Sequence, residues 1–169
     1  MFTTFERFIE RLFIELLIEN KLTVSPSYTS QKILFKSINT ARKVVFGGKN
    51  YVDWFPYRLT EERAEAFFHL GKPFSPINKD TDRIQAKIKN KQDKKTIENV
   101  MIIRNAIAHN SVYAIKRFDQ ELIAGATLPP RERTPSGFLR SKYRISPPQT
   151  RFEYFSLEIS SIAIKLCSQ

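Results

Sequence analysis

Cysteine, histidine and glycine are scarce in this 169-residue chain, and no long apolar run occurs. Cys167 stands alone, which excludes an internal disulfide and any zinc site built from several thiolates. A lone thiol also suits a reducing compartment. The two histidines, His69 and His109, are forty residues apart. Neither belongs to a metal-ligand cluster, so no metal or other cofactor is expected. Glu6, Arg7, Glu10, Arg11, Glu15 and Glu19 interrupt the apolar N-terminus, which excludes a signal peptide and a membrane span. The expectation is a soluble, cytoplasmic protein with no membrane partner. Acids are also few: 17 Asp and Glu against 28 Lys and Arg leave a net charge of +11. Such a surplus favours polyanions, nucleic acid being the common case, although a solvated lysine-rich surface has the same composition.

What is present suffices for a core. Hydrophobic residues make up 41% and aromatics 12%, with fourteen Phe, which excludes wholesale disorder. The length suits one domain spanning residues 1–169. Phe is foremost a core residue, with base stacking as the alternative use.

Helical spacing dominates the chain. Phe5, Ile9, Leu12 and Leu16 recur every three or four residues and predict a helix over 2–20. Ser25-Pro26-Ser27 breaks it. Ile33, Leu34, Ile38, Ala41 and Val45 predict a second helix, closed by Gly47-Gly48. The aromatic segment 51–57 lacks a period and reads as a packed connection. Thr60-Glu61-Glu62 opens a short helix that Gly71 ends, with Pro73 and Pro76 beyond it. The charged run Lys79–Lys95 has only Ile84 and Ile88 as an apolar edge. Further helices are predicted over Ile97–His109 and from Val112 to Leu122, with a stop at Gly125. Residues 126–150 show no period and carry five prolines, and they read as a long basic loop. Thr150-Arg151-Phe152-Glu153 reads as a capping box opening a final helix. No repeat and no alternating strand pattern appears. The sum is an all-α helical bundle with a long basic loop before its last helix.

One segment carries a constellation fit for chemistry. At about 100° per residue, Val100 and Ile107 fall beside Ile103 and mark a core face. Arg104, Asn105 and His109 share the opposite face, with Met101 and Ala108 among them. An exposed Met beside small Ala residues suits close approach by a second subunit, so Met101 and Ala108 are the expected dimer contacts. RNA is cut without metal when its own 2′-hydroxyl attacks the adjacent phosphate. That reaction needs proton transfer near neutrality, which histidine supplies. It also needs fixed positive charge at the crowded phosphorane, which arginine supplies. Asn105 precedes His109 by one helical turn and is placed to orient the ring. The same residues also suit an ordinary helix end, since a histidine there favours the dipole and Asn110-Ser111 is a common stop.

The heptapeptide Ile103-Arg104-Asn105-Ala106-Ile107-Ala108-His109 resembles the Arg-x4–6-His signature of the HEPN superfamily, in its commonest form with Asn after Arg. Segments 133–140 and 150–153 resemble the HEPN subgroup named for its association with ribosomal L-PSP endoribonuclease-like proteins. The resemblance implies a helical domain that dimerises and brings two motifs into one active site. It implies metal-independent endoribonuclease activity on RNA in a toxin–antitoxin, phage-defence or RNA-processing setting, with an antitoxin or regulatory protein as a further partner. Arg104 and His109 would then be catalytic. The alternative is an adaptor domain that binds nucleic acid or a nucleotide without cutting. Tyrosine-modification control is not implied, because Ser111 occupies the position where that variant of the motif has Tyr.

Other candidates carry less. Asp80-Thr81-Asp82 lacks the Gly-Ser element of nucleotidyltransferases and reads as a solvated helix start. Gly47-Gly48-Lys49 lacks the remainder of a P-loop and reads as a helix cap. His69, among Phe67, Phe68 and Leu70, reads as a packed or capping histidine. Arg131, Arg133, Arg140, Lys142 and Arg144 either track an RNA backbone, with Phe138 and Tyr143 stacking on bases, or belong to a loop packed over the bundle.

Overall fold

The computed structural model describes residues 2–19, 31–75 and 84–168, with side chains left undescribed at 84–90 and at 168. Ser25-Pro26-Ser27, Pro76 and Asp80-Thr81-Asp82 lie outside the described residues, as do the side chains of Ile84 and Ile88. The fold is mostly helical. Seven α-helices and one two-stranded sheet occur among the described residues. None of the helices is long and apolar enough to cross a membrane.

The chain forms two compact units. The first takes the described parts of Thr3–Gln92 together with Ile162–Gln169, and the second takes Asp93–Ser161. In the first, α1 (Phe2–Leu16) buries Phe5, Ile9, Leu12 and Leu16, the residues whose spacing predicts the helix. Phe13 sets its ring 5.0 Å from those of Trp54, Phe68 and Phe74. Trp54 itself is fully buried, so the 51–57 segment is the packed connection that its aromatics suggest.

The predicted helix over 33–45 is shorter. It begins at Ile38, and α2 is Ile38–Val45. Residues 31–36 instead bond at a distance: Phe35 N–H donates to Leu17 O at 2.8 Å and Lys32 N–H to Phe67 O at 2.9 Å. Ile33 and Leu34 are left about half exposed. Ser37 then caps α2 by accepting from Thr40 N–H at 3.2 Å. Gly47 and Gly48, at φ +60 and +75, end it as a C-cap. α3 (Arg58–Phe67) follows, and a 3-10 turn at His69–Gly71 closes it. His69 is exposed there rather than packed.

α4 (Ile84–His109) joins two segments that the sequence separates, the charged run and the motif helix, into 26 continuous residues. Its middle is enclosed on all sides: Val100, Met101, Ile102 and Ile103 are all buried. This corrects two expectations. Met101 lies in the interior and is not the exposed methionine that the helical wheel places on that face. Ile107 is 47% exposed, because the face that holds Val100 and Ile103 leaves the packed region in the last turn.

In the second unit α5 (Val112–Phe118) runs into a π-type turn at Asp119–Ile123, and Gly125 at φ +81 stops the chain as anticipated. The expected long loop is built structure. It holds a 3-10 turn at Pro130–Glu132, α6 (Pro135–Arg140), and strands β1 (Lys142–Arg144) and β2 (Gln149–Thr150) paired antiparallel. Thr134 caps α6 by accepting from Gly137 N–H at 3.1 Å, and Pro135 takes the first helical position, where its missing N–H costs nothing. Arg151 pins the segment. Its guanidinium lies 4.6 Å from the centre of the Phe138 ring, donates to Ser141 Oγ and stands 3.8 Å from Glu132.

α7 (Arg151–Ser168) opens with the predicted capping box. Thr150 N–H donates to Glu153 Oε2 at 2.8 Å, and Glu153 N–H donates to Thr150 Oγ1 at 3.2 Å. The backbone bond from Thr150 is the larger of the two influences from that residue that hold the Glu153 carboxyl below its usual range. A carboxylate with a lowered folded pKa contributes fully above its unfolded pKa and loses that contribution as pH falls through the folded value. The melting-temperature advantage of wild type over Glu153→Ala is therefore expected to be full near neutrality and to shrink in acid. Thermal melts of both proteins across the acidic range test this, and an advantage that does not vary with pH contradicts it.

Candidate active site

The last turn of α4 brings the motif together. Arg104 Nη1 donates to Asn105 Oδ1 at 2.9 Å and lies 3.3 Å from His109 Nε2. Arg104 and His109 are five residues apart, about 140° round the helix, so the contact depends on the length of the arginine reaching along the axis to the helix end. Arginine has donors only, so Nε2 is the acceptor in this contact. Arg104 and Asn105 are half-buried and His109 is exposed. Asn105 is expected from the sequence to orient the histidine. It holds the guanidinium instead, and the guanidinium holds the ring.

The helix ends abruptly after His109. Asn110 takes φ +44, a left-handed conformation that Asn tolerates better than most residues. Ser111 then caps α5 by accepting from Ala114 N–H at 3.2 Å. His109 thus sits at the corner between two helices, and rigid elements hold both sides. Ala108 is exposed as expected. Val112 and Tyr113, just past the corner, are 87% and 75% exposed.

Beyond the corner lies an open groove of about 800 Å³. Asn110, Ile115, Asp119, Ile123, Arg133 and Pro135 are among the residues that line it. Of the five cations expected to meet RNA, the structure places Arg133 on this groove. Arg131, Arg140, Lys142 and Arg144 are exposed elsewhere in the same unit, with Lys142 and Arg144 on β1. Arg133 also donates from Nε to Leu128 O at 3.0 Å, and Arg140 from Nε to Ser136 O at 3.3 Å.

The two aromatic candidates part company. Phe138 is buried, edge-on to Phe118 at 5.6 Å and covered by Arg151, so it presents no face to a base. Tyr143 remains 46% exposed and stacks on Tyr154 at 3.9 Å. Desolvation first, and the hydrogen bond with Tyr143 second, push the Tyr154 hydroxyl up to about 12. Asp119, Ile115 and Ile123 carry no motif that marks them in the sequence. They become groove residues because the π-type turn and the 3-10 turn bring distant segments together. Among the described residues no group of three or more His, Cys, Asp or Glu side chains is arranged to hold a metal ion. No protein-family model, curated protein or solved structure matches the chain.

Proposed function

We propose that this protein is a metal-independent endoribonuclease of HEPN type that acts as a homodimer. The observation that carries the reading is the Arg104–His109 contact at 3.3 Å, with Asn105 bracing the guanidinium. In the free protein Arg104 occupies the ring nitrogen that would accept a proton. An RNA phosphate offers that guanidinium two oxygens and a formal charge, a better partner than a neutral imidazole. Substrate therefore draws Arg104 onto the phosphate and uncovers Nε2. His109 takes the proton of the 2′-hydroxyl as its oxygen attacks phosphorus. Arg104 stabilises the dianionic phosphorane. The bond to the 5′-oxygen then breaks, and that oxygen leaves with a proton from the His109 of a second copy, which enters the reaction as an imidazolium and ends it neutral. The products are a 2′,3′-cyclic phosphate and a 5′-hydroxyl. A digest of mixed cellular RNA in EDTA tests the assignment: wild type cuts, His109→Ala does not, and undiminished cutting by the variant contradicts it.

With Met101 buried, the dimer face moves to the corner itself. Ile107, Ala108, Val112 and Tyr113 are exposed in the turns that flank His109. Contact there sets two copies of the motif side by side. Val112→Glu combined with Tyr113→Ser should halve the mass seen by light scattering and suppress cleavage, while stability stays within ~0.5 kcal/mol, as for ordinary surface changes. A wild-type protein that is monomeric at micromolar concentration contradicts the dimer.

A further inference from the structure

The groove beyond His109 has two features that phosphate binding alone leaves unexplained. First, it contains an acid. Asp119 lies on the groove in a chain of net charge +11. A carboxylate repels the RNA backbone, so its presence on the same groove as Arg133 suits recognition of something other than phosphate. Second, the backbone that presents Asp119 is irregular. The π-type turn Asp119–Ile123 starts on this residue, and its own carbonyl accepts from Ala124 N–H at 2.7 Å. Such turns re-aim side chains and recur at functional sites. The wall also carries an apolar stretch, Ile115, Ile123 and Pro135, alongside Asn110 and Thr134. That stretch suits the flat face of a base.

We propose that this groove binds the nucleobase next to the scissile phosphate and that Asp119 selects guanine; the proposal rests on the ribonuclease reading of Arg104 and His109. A carboxylate presents two parallel acceptors and no donor. Guanine alone among the four bases presents two parallel donors on its Watson–Crick edge, the ring N1–H and the exocyclic amine. Adenine and cytosine offer one amine beside an acceptor, and uracil offers one N–H between two acceptors, so each sets an acceptor against the carboxylate. Single-stranded RNA exposes this edge for reading. Asn110 joins the two sites, since it follows His109 in sequence and lines the groove. Arg133 lies on the same wall system and is available to the flanking phosphate.

The test measures equilibrium binding of the 3′-monophosphates of guanosine, adenosine, cytidine and uridine to the wild-type protein, in EDTA. Guanosine 3′-monophosphate should bind roughly tenfold tighter than the other three, as a bidentate contact of this kind supplies. Asp119→Asn, which replaces one acceptor by a donor, should cut that preference to below about threefold. Equal affinity for the four nucleotides overturns the proposal without recourse to any variant. So does an unchanged guanine preference in a folded Asp119→Asn protein. Binding needs no cleavage, so the two readings fail separately. Guanine preference without RNA cutting removes the ribonuclease and keeps the pocket, whereas RNA cutting with no preference for guanine removes the pocket and keeps the ribonuclease.

Discussion

Arg104→Ala and His109→Ala are each expected to lower RNA cleavage about a thousandfold, within the range of lost proton transfer or lost charge stabilisation. The double variant is expected to fall little further. The guanidinium and imidazole touch at 3.3 Å and act on one phosphate, so removing either leaves the other without its function. Arg104→Lys should recover only part of the loss, because an ammonium lacks the planar fork that spans two phosphate oxygens. Folding should be spared for His109, which is exposed at a helix end. Single-turnover rates on a labelled RNA, with thermal melts of the same preparations, check all four proteins. Additive losses in the double variant would mean that the two residues serve separate steps.

Gly137→Ala is expected to be the most damaging small substitution in the second unit. A Cβ at this position would stand 1.9 Å from the carbonyl oxygen of Arg131, with Thr134 Oγ1 at 2.7 Å. The first is backbone and the second is the cap of α6, so neither yields without opening the turn. A cost of about 3 kcal/mol follows from overpacking of this kind, and the melting temperature should drop by roughly 6–12 °C for a chain of this size. Gly125→Ala is the comparison. There φ is +81 but nothing lies within 4 Å of the added carbon, so conformational strain acts alone, at about 1 kcal/mol. Equal melting temperatures for the two variants would show that the Arg131 carbonyl is not held against Gly137.

Local chemistry made some elements readable from the sequence. The Thr150–Glu153 box, the Gly47-Gly48 cap and the Arg104–His109 pairing each depend on residues within one or two helical turns. Spacing places the box and the cap, and it puts Arg104, Asn105 and His109 on one helix end, although the contact it suggests is Asn105 to His109 and the one formed is Arg104 to His109. Order that comes from distant partners was not readable. Residues 31–36 look helical by period, yet their backbone bonds go to Leu17 and Phe67, which no local pattern reveals. The stretch 126–150 looks structureless because its order comes from Arg151, reaching back to Phe138, Ser141 and Glu132, and from a glycine tolerating close approach of a carbonyl. Burial of Met101 defeated the wheel argument for a dimer face. Over 100–103 four successive residues are buried, so this turn has no outward face to count, and the wheel assumes that one exists. The groove was invisible for a similar reason: Asn110, Asp119 and Arg133 meet only through a corner, a π-type turn and a 3-10 turn.

The chemistry assigned to Arg104 and His109 leaves a signature at the cut ends. The decisive measurement is end analysis of RNA fragments produced by the wild-type protein in EDTA. Attack by the 2′-hydroxyl predicts 2′,3′-cyclic phosphates paired with 5′-hydroxyl ends, absent from a His109→Ala digest. Fragments carrying 3′-hydroxyl and 5′-phosphate ends would contradict the account, as would RNA left whole.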